Sequence, residues 1–238
     1  MAWMPKRAMV LAAGRGERLR PLTDRLPKPL IAIAGRSLLD RALDRLKEAG
    51  VEEVVVNLQH LGEKIRQALA RRDDVRIVYS EEKERLETGG GIAKALPRFG
   101  QAPFFAVNGD VLWEEGGPPA LRRLAEGFDA ARMDGLLLVQ PRAAALGYDG
   151  NGDFELGAGG KLIRRQGNTA PYVFTGIQLL HPKLFEGAPG GRFSMNLLYD
   201  AALAKGRLFG LVHVGAWYHI GTPEALAAIE ERFRAGRP

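Results

Sequence analysis

The sequence predicts an α/β protein, a single domain built on a mainly parallel mixed sheet with helices on both faces. Three observations carry this. Short apolar runs rich in β-branched and aromatic residues alternate with segments whose apolar residues recur at helical spacing, the pattern of strand–helix–strand units. The chain has 238 residues, 46% of them apolar, enough to bury one sizeable core. No internal repeat, low-complexity stretch or linker interrupts it, so residues 1–238 read as one unit without a carboxy-terminal repeat region.

The elements follow in order. Ala8 to Leu11 reads as a first buried strand entering a glycine loop. Ser37 caps a helix whose apolar residues Leu38, Leu39, Ala42, Leu43 and Leu46 share one face, and Gly50 ends it. A strand over Val54–Leu58, a helix around Ile65–Leu69 and a strand near Val75–Tyr79 come next. Glycines open a helix over Gly89–Leu96, which feeds a strand at Pro103–Val107. A helix over Ala120–Ala130 precedes a strand at Leu136–Val139. Between Pro141 and Gly167 the glycines fall in hairpin-like places, where the sheet turns antiparallel. A strand over Val173–Leu180 and a helix from Met195 to Ala204 follow. Thr222 and Pro223 then stand as cap and first position of a last helix running to Phe233.

The most informative stretch is Leu11-Ala12-Ala13-Gly14-Arg15-Gly16-Glu17-Arg18-Leu19-Arg20-Pro21, followed by Pro27-Lys28-Pro29-Leu30. Gly14 and Gly16 let the backbone approach a ligand closely, because neither carries a Cβ. Freed N–H groups in such a loop cradle phosphate oxygens, and Arg15, Arg18 and Lys28 add cationic donors. A strand, a glycine turn and clustered cations describe a triphosphate site. A dinucleotide-binding turn fits poorly, since Leu19 occupies the place of its third small residue and Asn57 stands where an acidic residue would close the second strand. No Gly-Lys-Ser/Thr follows, so the phosphate loop of the Walker type is excluded as well.

Composition narrows the partners. The net charge of +6 favours acidic ligands. No Lys/Arg block interleaved with aromatics occurs, which ranks a phosphorylated small molecule well above nucleic acid. Cysteine is absent, excluding disulfides and thiolate chemistry. There is no apolar leader and no run of membrane-spanning length, so the expected location is the cytoplasm, away from any membrane.

The string Gly14, Gly16, Arg18, Pro21-Leu22-Thr23 and Pro27-Lys28-Pro29 resembles the signature of the sugar-1-phosphate nucleotidyltransferases, the nucleoside-diphosphate-sugar pyrophosphorylases. The resemblance continues through Leu86-Glu87-Thr88-Gly89-Gly90-Gly91, Val107-Asn108-Gly109-Asp110, Gly152-Asp153-Phe154, Phe174-Thr175-Gly176 and Trp217 to Glu224, in order along nearly the whole chain. It implies a Rossmann-like fold of the GT-A type. It also implies transfer of a nucleotidyl group from a nucleoside triphosphate to a sugar 1-phosphate. Among members, those using UTP and N-acetylmuramate 1-phosphate share the triple glycine, the Asn-Gly-Asp and the Gly-Asp-Phe. Mannose-1-phosphate guanylyl transfer from GTP is the alternative within the class, and a catalytically silent nucleotide binder the alternative outside it.

Such a reaction brings two polyanions together and must stabilise charge as it builds, which is work for positioning and cations. Arg18 is the candidate for the leaving pyrophosphate, with the loop residues Leu11 to Gly16. Lys28 is the candidate for contacting both the α-phosphate and the attacking sugar phosphate. Asp110 follows a buried strand and an Asn108-Gly109 turn, where open α/β sheets present ligand-binding groups; the resemblance makes it the carboxylate that holds Mg2+. At His219 most relatives carry an aspartate that is the second metal ligand. The imidazole there leaves three readings: Asp110 as sole direct ligand, a shift toward Mn2+, or lost catalysis. Ala12, Ala13, Gly14, Thr88 and Gly89, with Glu82 and Glu87, are expected to frame the base, and the three glycines to admit ribose or base. Asn108, Tyr148, Asp153, Thr175 and Gly176 are expected around the sugar. The acidic residue that holds sugar hydroxyls in relatives has no match here, because Lys161-Leu162-Ile163-Arg164-Arg165 is basic.

Overall fold

The computed structural model describes residues 3–236. The main strands are β1 (Arg7–Leu11), β2 (Glu53–Leu58), β3 (Arg76–Glu81), β4 (Phe104–Asn108), β5 (Gly135–Pro141), β6 (Phe154–Leu156), β7 (Leu162–Arg164), β8 (Tyr172–Leu180) and β9 (Leu208–Val212). The main helices are α1 (Leu38–Glu48), α2 (Gly62–Leu69), α3 (Glu87–Ala95), α4 (Ala120–Gly127), α5 (Met195–Ala204) and α6 (Pro223–Arg234). The strands form one sheet in the order β3-β2-β1-β4-β8-β5-β9, with the β6–β7 hairpin beside the start of β8. Within that order all neighbours run parallel except β8, which lies antiparallel between β4 and β5, and the β6–β7 hairpin is antiparallel. The sheet is therefore mixed and mainly parallel, as expected. Among the described residues no helix is long and apolar enough to cross a membrane.

Strand side chains alternate between two cores, as the pleat requires. Ala8, Val10, Val54, Val56, Phe105 and Val107 pack with α1, α2 and α4 on one face. Met9, Val55, Phe104 and Ala106 pack with Ile92 of α3 and Leu198 and Tyr199 of α5 on the other. Both faces are thus covered by helices, which explains why the strands read as continuous apolar runs. A third cluster joins Leu19, Ile31 and Ile33 to Leu112, Tyr218, Ile220 and Ile229. It ties the glycine loop to a segment two hundred residues away.

Local chemistry explains the element boundaries. The Ser37 hydroxyl accepts the Asp40 N–H and starts α1. Gly50, at φ +83°, ends it in the left-handed region where a Cβ is costly. Thr222 caps α6, accepting the Ala225 N–H at 3.2 Å. Two expectations are corrected. The helix expected to reach Ala130 stops at Gly127, because Phe128 turns extended to reach the core and the Asp129 carboxylate takes the Ala131 N–H. Strand β9 had no counterpart in the sequence reading. Gly210 interrupts its apolar run, and it is needed because a Cβ there would sit 2.7 Å from Leu162 Cδ2.

Candidate active site

The site lies at the carboxyl ends of β1, β2 and β4, where a parallel sheet opens a crevice for ligands. The loop after β1 folds back on itself by close contacts that its motif residues permit. Gly16 sits at φ +62°, and a Cβ there would come within 2.9 Å of Thr23 Cγ2 and 3.0 Å of Lys28 Cβ. Thr23 is 1% exposed and donates its hydroxyl proton to the Gly16 carbonyl at 2.9 Å. The Gly-x-Arg, Pro-x-Thr and Pro-Lys-Pro pieces of the motif thus form one packed unit. Lys28 follows Pro27, whose ring restricts the backbone entering the turn Lys28–Leu30.

The other wall comes from β4 and β8. Gly109 donates its N–H to the Leu11 carbonyl at 2.8 Å, holding the end of β4 against the end of β1. Asp110 then points to Lys28, whose Nζ lies 2.5 Å from Oδ2. The lysine side chain is 13% exposed and the carboxylate 32%. Strand β8 carries an irregularity between Phe174 and Gln178, and Gly176 adopts φ +83° inside it. A Cβ at Gly176 would lie 2.7 Å from Asn108 Nδ2. The irregularity therefore makes room for Asn108, a common use of bulges beside active sites, while the Thr175 hydroxyl is committed to the Leu138 carbonyl at 2.8 Å.

Two cavities result. A cleft of about 560 Å³ is lined by Leu11, Ala13, Gly14, Arg15, Gly16, Arg18, Glu82, Arg85, Glu87, Thr88, Ser194 and Gly221, among others. A smaller one of about 300 Å³ is lined by Tyr148, Asp153, Val173, Phe174, Thr175, Gly176 and Trp217 to Ile220. Arg18, Lys28, Asn108 and Asp110 line both. The cavities meet at two cations, an amide and a carboxylate.

The model of the MobA-like NTP transferase domain matches residues 8–182. An N-acetylmuramate alpha-1-phosphate uridylyltransferase of Caulobacter vibrioides is 40% identical over 98% of this chain and 98% of its own. One of Neisseria meningitidis serogroup B is 36% identical over 91% of this chain and 93% of its own. The chain belongs to the MobA-like NTP transferase family. It is a nucleotidyltransferase, in the class that its motifs resemble. The fold agrees: a UDP-glucose pyrophosphorylase solved with UDP-glucose superposes with a TM-score of 0.80, covering 98% of this chain and all of that one, at 18% identity.

The base-side residues of the transferase are arranged differently from expectation in two respects. The Ala12 N–H is bonded to Asn57 Oδ1 at 2.7 Å, so it is committed to the protein and Ala12 does not line the cleft. The three glycines of α3 serve protein packing. A Cβ at Gly89 would lie 2.4 Å from the Phe193 ring, one at Gly90 2.2 Å from the Gly191 carbonyl, and one at Gly91 2.9 Å from Glu82 Oε1. Gly89 also gives its N–H to the Phe193 carbonyl and lies outside the cleft. What approaches these glycines is the segment before α5 and the buried Glu82. Thr88 and Glu87 do face the cleft. The Thr88 hydroxyl accepts the Met195 N–H, and Arg192 holds the Glu87 carboxylate at 2.6 Å while Glu87 itself adopts φ +60°.

Asn57 went unrecognised as a site residue. It is 2% exposed, at the end of β2, and its Nδ2 donates to Glu82 Oε1 at 2.7 Å. The second Glu82 oxygen accepts the Leu86 N–H at 3.2 Å. A polar residue in an otherwise apolar strand was the available signal, since buried amides need partners. Arg85, Ser194 and Gly221 also line the cleft and were missed; nothing in the local sequence marks Arg85 or Ser194, and Gly221 stood in the Trp217 to Glu224 motif without being assigned a role.

All five residues expected around the sugar line the smaller cavity, together with His219. Tyr148 accepts the Gly152 N–H at 3.1 Å. Burial, and then the Asp153 carboxylate, push its hydroxyl above the usual range for tyrosine. Asp153 accepts the Phe174 N–H at 2.9 Å. His219 packs edge-on against Tyr148, with ring centres 5.5 Å apart. Burial, then the Lys28 and Arg18 cations, hold its imidazole below the ordinary range. A Cβ at Gly221 would meet His219 Nε2 at 2.6 Å and an Arg18 guanidinium nitrogen at 3.3 Å. Gly221 therefore allows the histidine and the arginine to share the seam between the cavities.

Proposed function

We propose that the chain transfers a uridylyl group from UTP to N-acetylmuramate α-1-phosphate, releasing pyrophosphate. The observation that carries this reading is the meeting of the two cavities at Arg18, Lys28, Asn108 and Asp110. A nucleotide in the larger cleft and a sugar phosphate in the smaller one would face each other across those groups. The names of the relatives similar over nearly their whole length support this choice of substrates.

The acceptor phosphate is already anionic near neutral pH, its second pKa being about 6, so no strong base is needed. An acceptor oxygen bonds to the α-phosphorus while the bond from that phosphorus to the bridging oxygen of the β-phosphate breaks. Lys28, reachable from both cavities, neutralises the two phosphates as they approach. Arg18 takes the charge that builds on the departing pyrophosphate, aided by loop N–H groups near Gly14 and Gly16.

The donor set suits magnesium at Asp110, a hard oxygen ligand at the seam. Among the described residues no cluster of three His, Asp or Glu side chains gathers as an all-protein metal cage, which fits an ion completed by nucleotide oxygens. When bound, the divalent ion would neutralise phosphate charge next to the reacting phosphorus. His219 offers a ring nitrogen to the same region. We place the reaction in the cytoplasm, where nucleoside triphosphates are made.

Pyrophosphate release tests the proposal, with UTP, GTP, CTP, ATP and dTTP each paired with several sugar 1-phosphates in Mg2+ and in Mn2+. Release with UTP and N-acetylmuramate 1-phosphate is the expected result. Release confined to GTP with mannose 1-phosphate would replace the substrates. Silence in every pair, with nucleotide binding intact, would make the chain a binder.

A further inference from the structure

The acceptor side holds more cationic charge than a sugar 1-phosphate with a neutral ring requires. Arg18 and Lys28 already serve the phosphates at the seam. Arg142, just past β5, is anchored by its N–H on the Pro171 carbonyl at 2.7 Å, two residues before Val173 in the cavity wall. Arg165, just past β7, is anchored by its N–H on the carbonyl of Asp153, itself a wall residue, at 3.0 Å. Among the described residues neither guanidinium has a carboxylate partner. Other arginines on nearby segments do. Arg164 pairs with Asp200 at 2.6 Å and Arg192 with Glu87 at 2.6 Å. Both Arg142 and Arg165 lie within electrostatic reach of the Tyr148 hydroxyl, where they oppose the rise that burial and Asp153 cause.

Resting on the proposed acceptor class, we infer that Arg142 and Arg165 form an anion subsite at the rim of the smaller cavity, which receives a carboxylate carried by the sugar. N-acetylmuramate bears such a group on its lactyl ether, and N-acetylglucosamine, otherwise the same sugar, does not. Guanidinium groups suit this role because they bind carboxylates through paired, directed N–H bonds. Asp110 and Asp153 are the carboxylates in the lining of this cavity, Asp110 being paired with Lys28, and Asp149 lies nearby. Asp153 is partly satisfied by the Phe174 N–H, and Asp149 acts on His219.

The test compares N-acetylmuramate 1-phosphate with N-acetylglucosamine 1-phosphate in the wild type, Arg142→Ala, Arg165→Ala, Arg165→Glu and the double alanine variant. The ratio of kcat/KM between the two sugars is expected to fall roughly tenfold in each single alanine variant, as for loss of one charge-assisted bond. It should fall further in the double variant and furthest in Arg165→Glu, while KM for UTP stays constant. Calorimetry of both sugars on protein loaded with a non-hydrolysable UTP analogue reads the same ratio where turnover is slow. An unchanged ratio in the double variant would overturn the subsite, and so would an equal loss with both sugars, which would assign the cations to the phosphate. A wild type that releases pyrophosphate with neither sugar would instead overturn the proposed function.

Discussion

The larger cleft and the smaller cavity are built by different means although they share a seam. The cleft takes its loop amides and cations from one stretch after β1, in which Gly16, Thr23 and Lys28 pack on one another within a dozen residues. The cavity takes its wall from Asn108, Tyr148, Asp153, Thr175, Gly176 and His219, on separate segments joined by the β8 bulge and by Trp217 donating to the Thr175 carbonyl at 3.0 Å. The contrast suits the ligands proposed for them. A polyphosphate is satisfied by many donors of one kind in one place, which a single glycine loop supplies. A sugar presents groups in several directions, so its pocket must be enclosed from several parts of the chain.

Substitutions can break or sharpen that contrast. The largest effect belongs to the seam. Lys28→Ala should cut turnover by about 10²–10³-fold, as for other lost transition-state donors, with circular dichroism unchanged. Steady-state kinetics showing a near-normal rate would remove Lys28 from the chemistry. Next is Gly176→Ala on the sugar side. The added Cβ meets Asn108 at 2.7 Å in a backbone at φ +83°, which should raise KM for the sugar phosphate roughly tenfold or more and lower stability by about 1–3 kcal/mol. An equal rise in the UTP KM would show that the two cavities are not separable. Thr23→Val on the nucleotide side removes the bond to the Gly16 carbonyl at little change in volume. It should cost about 1 kcal/mol and raise KM for UTP severalfold while sparing that for the sugar. The smallest effect is Ser37→Ala, outside both. Loss of the α1 cap should lower thermal stability by about 1 kcal/mol and leave both KM values alone, giving the baseline for purely structural damage.

The fold was legible because its signals are local. Helix α1 shows all five of its buried residues at helical spacing, with Ser37 and Gly50 at its ends. α5 covers the predicted Met195–Ala204. β9 was not legible, since a glycine in an apolar run signals a strand only once Leu162 is seen against it. The triple glycine shows the same limit at the site. Its sequence says that something comes close, and both a ligand and a protein segment satisfy that condition. Phe193, Gly191 and Glu82 are the answer here.

The sequence by itself determined the α/β class, the phosphate-type loop and the candidates Arg18, Lys28 and Asp110, because strand period, glycine placement and charge are properties of short stretches. Tertiary structure decided that Lys28 and Asp110 touch across 82 residues, that Asn57 takes the Ala12 amide and steadies Glu82, and that His219 and Arg18 share the space above Gly221. Those contacts depend on where strands distant in the chain are brought side by side, and no local pattern encodes a distance between them.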